Sequence, residues 1–78
     1  MKKIQILGTG CKKCNDLTEN AKAAAQAAGV EVELEKITQL NDIMAFGVMT
    51  TPGLVIDGKV VSQGKLLSAD QIADYLNR

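Results

Sequence analysis

Gly8-Thr9-Gly10-Cys11-Lys12-Lys13-Cys14 sets the chain's two cysteines three residues apart, between an apolar run and a helix-forming run. At a helix start, positions i and i+3 share a face, and their Cβ atoms lie close to the separation a disulfide needs. The ring closed by such a bond is small. It removes little loop entropy from the unfolded chain, so electron exchange is a better reason for the pair than stabilisation. At the helix start, unsatisfied amide donors and the positive end of the helix dipole favour the Cys11 thiolate, and Lys12 and Lys13 add positive charge beside it. These features predict a Cys11 pKa below the free-thiol value of about 8.5, with Gly10, Lys12 and Lys13 as tuning residues. Cys14, one turn later, is expected to be more buried and to act second.

Outward from this stretch, Lys2 to Gly8 reads as a short central strand, and the adjacent Ile6 and Leu7 predict that both sheet faces are covered at its end. Gly8 and Gly10 around Thr9 then allow a tight turn into a helix, expected from Cys11 or Lys12 to Ala28. Cys14, Leu17, Ala21, Ala24, Ala25 and Ala28 form its inner stripe, and Gly29 its stop. Val30, Val32 and Leu34 alternate with Glu31, Glu33 and Glu35, as in an edge strand whose like charges deter pairing; the glutamates are read as a solvated face rather than a cation site. A second helix is expected over Gln39 to Phe46, capped by Thr38, with Leu40, Ile43 and Met44 inward. Leu54-Val55-Ile56 suits a buried strand, and Asp57-Gly58 turns the chain into a partner strand over Lys59 to Ser62. Ser68 and Gln71 form a capping-box pattern that opens a last helix, Ala69 to about Asn77, burying Ile72, Ala73 and Leu76.

Seventy-eight residues suit one domain, residues 1–78, with an aliphatic α/β core. Nine basic and nine acidic side chains cancel, which argues against nucleic acid or anionic membranes as partners. The apolar run Ile4 to Leu7 is too short for an export signal, and no stretch could span a bilayer, so a cytoplasmic location is expected. The sequence has no histidine, and two thiolates cannot complete a four-coordinate zinc shell in a monomer, so no metal site is expected.

The order βαβ-α-ββα, with Cys-x-x-Cys after the first strand and Thr51-Pro52 before the third, resembles the thioredoxin fold in its minimal glutaredoxin-like form: a four-stranded mixed sheet flanked by helices. The resemblance runs through Gly47-Val48-Met49-Thr50-Thr51-Pro52-Gly53 and Leu54 to Val61, and is closest to the small redox-active disulfide protein 2 family. It implies thiol-disulfide exchange, with Cys11 as the exposed nucleophile, Cys14 as the resolving thiol, and Thr51-Pro52 as a cis-proline step facing the cysteines. Thr51, Pro52 and Gly53 are the implied substrate-binding residues. It further implies no cofactor beyond the Cys11/Cys14 disulfide, protein disulfides as substrates, and a thioredoxin-reductase-like electron donor serving a monomer.

The chain departs from ordinary thioredoxins and glutaredoxins in the residues between and around its cysteines, and no acid in Lys2 to Leu7 takes the place of their buried proton acceptor. The alternatives use the same two sulfurs. Two thiolates suit Cu(I), although Thr9 stands where small copper carriers have methionine. A redox-sensing module without turnover is the third reading. Met44, Phe46 and Met49 are candidates for an apolar docking rim, with Met44 assigned rather to the core, and Tyr75 reads as a partly exposed packing residue.

Overall fold

The computed structural model describes residues 2–10 and 12–77. Along the chain these form β1 (Lys2–Leu7), α1 (Lys12–Ala28), β2 (Val32–Ile37), α2 (Leu40–Ala45), β3 (Gly53–Ile56), β4 (Lys59–Gln63) and α3 (Ala69–Leu76). The strands form one sheet in the order β2-β1-β3-β4, parallel between β1 and β2 and antiparallel elsewhere. This is the α/β arrangement that the resemblance implied.

Strand alternation sends Ile6 and Leu7 to opposite faces, and the core divides accordingly. Ile4, Ile6, Leu54 and Ile56 meet Leu17, Ala21 and Ala24 of α1 and Ile72 and Leu76 of α3. Leu7 and Val55 meet Ile43 of α2 and Val48 on the other face. The small residues of α1 let that helix lie close to the sheet, and Thr18 joins the buried stripe because its Oγ1 donates to the Cys14 carbonyl at 2.9 Å. Gly29, with φ of 66°, ends α1: its amide donates to the Gln26 carbonyl and that of Val30 to the Ala25 carbonyl, which satisfies two orphan acceptors. The capping box of α3 forms as expected, with Gln71 N donating to Ser68 Oγ and Ser68 N to Gln71 Oε1.

Four expectations need correction. β2 starts at Val32 and runs on to Ile37, because it pairs with β1 along its length, from Lys2 opposite Val32 to Leu7 opposite Ile37. The apolar residues change face within it: Lys36 takes the place that alternation reserves for an apolar residue, and Ile37 packs with the second cluster. The cap of α2 is Gln39, without a side-chain bond, rather than Thr38. Of its supposed inner stripe only Ile43 is buried; Leu40 and Met44 are 62% and 63% exposed, since a six-residue helix rests on the sheet through little more than one residue. Ala73 in α3 is half-buried, packed at the margin of the first cluster. No helix among the described residues is long and apolar enough to cross a membrane.

Asp57 and Gly58 have φ of 51° and 82°, the left-handed pair that a two-residue hairpin requires. Asp57 also locks this hairpin to β1. Its amide donates to the Lys3 carbonyl at 2.8 Å, its Oδ1 accepts from the Lys3 amide at 2.9 Å, and Lys2 Nζ lies 3.5 Å from Oδ2. The Lys3 amide, and after it the Lys2 ammonium, holds the Asp57 carboxyl below the ordinary carboxylate range. A lowered folded-state pKa contributes stability above the unfolded value, and that contribution is lost as pH falls through the folded value. Asn tolerates the left-handed backbone and keeps an acceptor oxygen, so Asp57→Asn isolates the charge. Urea unfolding is expected to find Asp57→Asn less stable than the wild type at pH 7, with the gap closing between about pH 5 and pH 2.

Candidate active site

The site begins where β1 ends. The Gly8 amide donates to the Ile37 carbonyl at 2.9 Å, so the β1-β2 ladder continues one residue beyond the strand. A Cβ on Gly8 would collide with Cys14 Sγ and stand 3.0 Å from Cys14 Cβ. Gly10 does a different job: its φ is 92°, with open space around the missing side chain, so it is there for the turn. Sequence reasoning assigned both glycines to the turn, and the seat that Gly8 provides for the sulfur was missed. A glycine six residues before Cys14, at the end of an inward-facing strand, was the available signal.

Cys14 is 4% exposed and its sulfur is in a disulfide. Cys11, the expected nucleophile and the one other cysteine of the sequence, lies outside the described residues. Lys12 and Lys13 are exposed in the first turn of α1. Beside Cys14 a cavity of about 170 Å³ opens between α1 and the end of β2, walled by Gly8, Gly10, Asn15, Thr18, Lys36 and Thr38 among others. Lys36 reaches it because it pairs with Ile6 and shares that residue's face of the sheet, the face on which α1 packs. It is the one charged side chain among the described residues in that wall. Glu35, its neighbour, turns the other way, accepts from Gln5 Nε2 at 2.9 Å and lies 3.9 Å from Lys3 Nζ.

Leu7 pairs with Gly53, so the turn after β1 and the step before β3 leave the sheet at the same end. The Thr51-Pro52 peptide bond is cis. Thr51 is exposed, and its amide and carbonyl bond to no other described residue. Pro52 is buried, and its carbonyl accepts from the Gly64 amide at 2.8 Å. Gly53 is a packing position: a Cβ there would stand 3.2 Å from Leu7 Cδ1 and 3.3 Å from Val48 Cγ1. The structure thus joins Gly10 and Cys14 in one cavity and leaves Thr51, Pro52 and Gly53 outside its wall. Of the supposed apolar rim, Met49 is 93% exposed and Met44, expected in the core, is exposed too, whereas Phe46 is half-buried on the second cluster.

Comparison with known proteins agrees with this geometry. The family model for the thioredoxin domain matches residues 2–77. The chain belongs to the thioredoxin family. It is 39% identical to a thioredoxin of Methanothermobacter thermautotrophicus over 77 residues, covering 99% of this chain and all of the relative. It is 41% identical over 73 residues to a thioredoxin of Methanocaldococcus jannaschii, covering 94% of this chain and 84% of the relative.

The seat at Gly8 is testable by a double-mutant cycle. Gly8→Ala is expected to cost about 1–3 kcal/mol where Cys14 is present, the usual range for overpacking. In a Cys14→Ala background the same substitution should cost clearly less, because the colliding sulfur is gone. Urea midpoints of the four proteins measure both costs.

Proposed function

We propose that this chain is a thiol-disulfide oxidoreductase that exchanges the Cys11/Cys14 pair with protein disulfides. In the reducing direction the Cys11 thiolate attacks one sulfur of the substrate disulfide, forming a mixed disulfide and releasing one substrate thiolate, which takes up a proton. Cys14 then gives up its proton and attacks the Cys11 sulfur; the second substrate thiol leaves, and a Cys11-Cys14 disulfide remains. Two electrons pass to the substrate. A reductase restores the dithiol, as a cytoplasmic setting would provide.

The observation that carries this reading is the buried, disulfide-bonded Cys14 seated against Gly8 in a chain with one other cysteine, three residues earlier. The relatives' name, thioredoxin, supports protein disulfides as the substrate class. Gly10, Lys12 and Lys13 would favour the Cys11 thiolate. Thr51, with amide and carbonyl open on an exposed residue, suits an extended substrate segment that pairs main chain to main chain. In this reading Pro52 and Gly53 hold that segment's edge in place rather than touch it, since both are buried.

Insulin reduction with dithiothreitol tests the proposal. The wild type should accelerate turbidity, and Cys11→Ser should fall to the rate of dithiothreitol alone. Cys14→Ser should retain the first step and accumulate a mixed disulfide visible by mass spectrometry. Activity undiminished in Cys11→Ser would end the proposal. Stoichiometric Cu(I) binding without disulfide exchange would favour the soft-metal carrier instead, and a pair that a cellular reductase reduces but that passes no electrons to insulin would favour the sensing module.

A further inference from the structure

β4 is the last strand of the sheet, and its outer edge has no neighbouring strand among the described residues. Two depressions, of about 410 and 330 Å³, lie along it and share Val60, Val61 and Tyr75 in their walls, so they form one groove. The groove extends from the Asp57-Gly58 turn to Gln63 and Lys65, outside the wall of the Cys14 cavity. Ile56, Val60 and Val61 supply its apolar surface, interleaved with Asp57, Lys59, Gln63 and Lys65, and one polar group stands out. Ser62 Oγ is buried and has no hydrogen-bond partner among the described residues, which is costly for a hydroxyl unless something else satisfies it.

Charge says what fits. Lys2, Lys59 and Lys65 line the groove against a single carboxylate, Asp57, and that carboxylate is already engaged by Lys2 and the Lys3 amide. The opposite edge, β2, carries Glu33 and Glu35 on exposed positions. Exposed lysines and a bulge protect an edge strand against indiscriminate pairing, and β4 has both: Leu54 pairs with Ser62 and Val55 with Val60, leaving Val61 opposite no residue. The lysines repel a basic strand, and a second copy of β4 would meet its own positive charge. They do not repel an acidic one.

We propose that the β4 edge binds an extended acidic segment of a partner protein. The segment pairs its main chain with the outer edge of β4, seats an apolar side chain beside Val61 and Tyr75, offers a hydrogen-bonding group to Ser62 Oγ, and sets carboxylates against Lys59 and Lys65. The groove's lining shares no residue with the Cys14 cavity, and the proposal does not rest on the cysteine chemistry.

The test uses the full-length oxidised protein, labelled with nitrogen-15 and titrated with a capped pentapeptide, Glu-Val-Thr-Val-Glu, followed by amide shifts. Saturable shifts confined to Lys59 to Gln63 and Tyr75 are expected. Lys59→Glu with Lys65→Glu should weaken binding at least about tenfold, equivalent to 1.4 kcal/mol. Ser62→Ala should weaken it by less, and insulin reduction should stay at the wild-type rate in both variants. A basic counterpart, Lys-Val-Thr-Val-Lys, should not bind. Absence of shifts on β4, equal binding of the basic peptide, shifts centred on Thr51, tighter binding of a single-stranded oligonucleotide, or β4-mediated self-association by sedimentation would each overturn the proposal. Loss of insulin reduction in the cysteine variants alone would leave it standing.

Discussion

The sulfur of Cys14 occupies the space that any side chain at residue 8 would fill, and this one steric fact fixes how α1 meets the central strand. A helix of mostly small inward residues has little shape to define its position along a sheet. The sulfur-on-glycine contact sets its first turn against the end of β1, while Leu17, Ala21 and Ala24 only need to fall on Ile4, Ile6, Leu54 and Ile56 below it. The disulfide-bearing residue is therefore part of the packing that holds the fold, and the 4% exposure of Cys14 follows from that role. A sulfur so shielded from solvent suits the second step of an exchange better than the first.

The two faces of the sheet are unequal, and the inequality locates the exposed apolar surface. One face has two helices and the larger cluster; the other has a helix of six residues and four buried side chains. The six-residue α2 covers less of its face than α1 and α3 cover of theirs. Leu40, Met44 and Met49 are exposed in and just after α2, on the segment that leads into Thr51-Pro52, while Leu66, also exposed, lies between β4 and α3.

What could be read in the sequence was whatever local pattern decides. The two covered faces at the end of β1, the alanine stripe of α1 as far as Ala25, the Asp57-Gly58 turn and the Ser68-Gln71 box each depend on neighbours within a few residues, and each forms as read, while Ala28, read into the stripe, is half-buried. What could not be read depends on partners far along the chain. β2 ends where β1 lets it end, so Lys36 and Ile37 belong to a strand whose own alternation had stopped. Leu40 and Met44 have the spacing of an inner stripe, but nothing in the sequence states that the sheet offers α2 so small a seat. Gly8 looked like a turn residue because sequence shows a missing side chain and not what fills its place. The cysteine pair was legible as a pair; that Lys36 would stand in the wall of the Cys14 cavity needed the register of β1 with β2.

The edge at β4 and the site at the end of β1 meet through Gly64. Its φ is 72°, and a Cβ there would stand 2.7 Å from Thr50 Oγ1, so the residue after β4 presses on the segment that precedes β3. Its amide holds the Pro52 carbonyl, and Gln63 before it accepts from the Met49 amide at 3.2 Å. Three points of the approach to β3, at Met49, Thr50 and Pro52, thus rest on the last residue of β4 and the one after it. In a larger protein such a loop would have its own supporting layer. Here the edge strand is that support, so the backbone that presents Thr51 is only as well ordered as the end of β4, and anything that pairs with β4 stiffens the strand on which the approach to β3 depends.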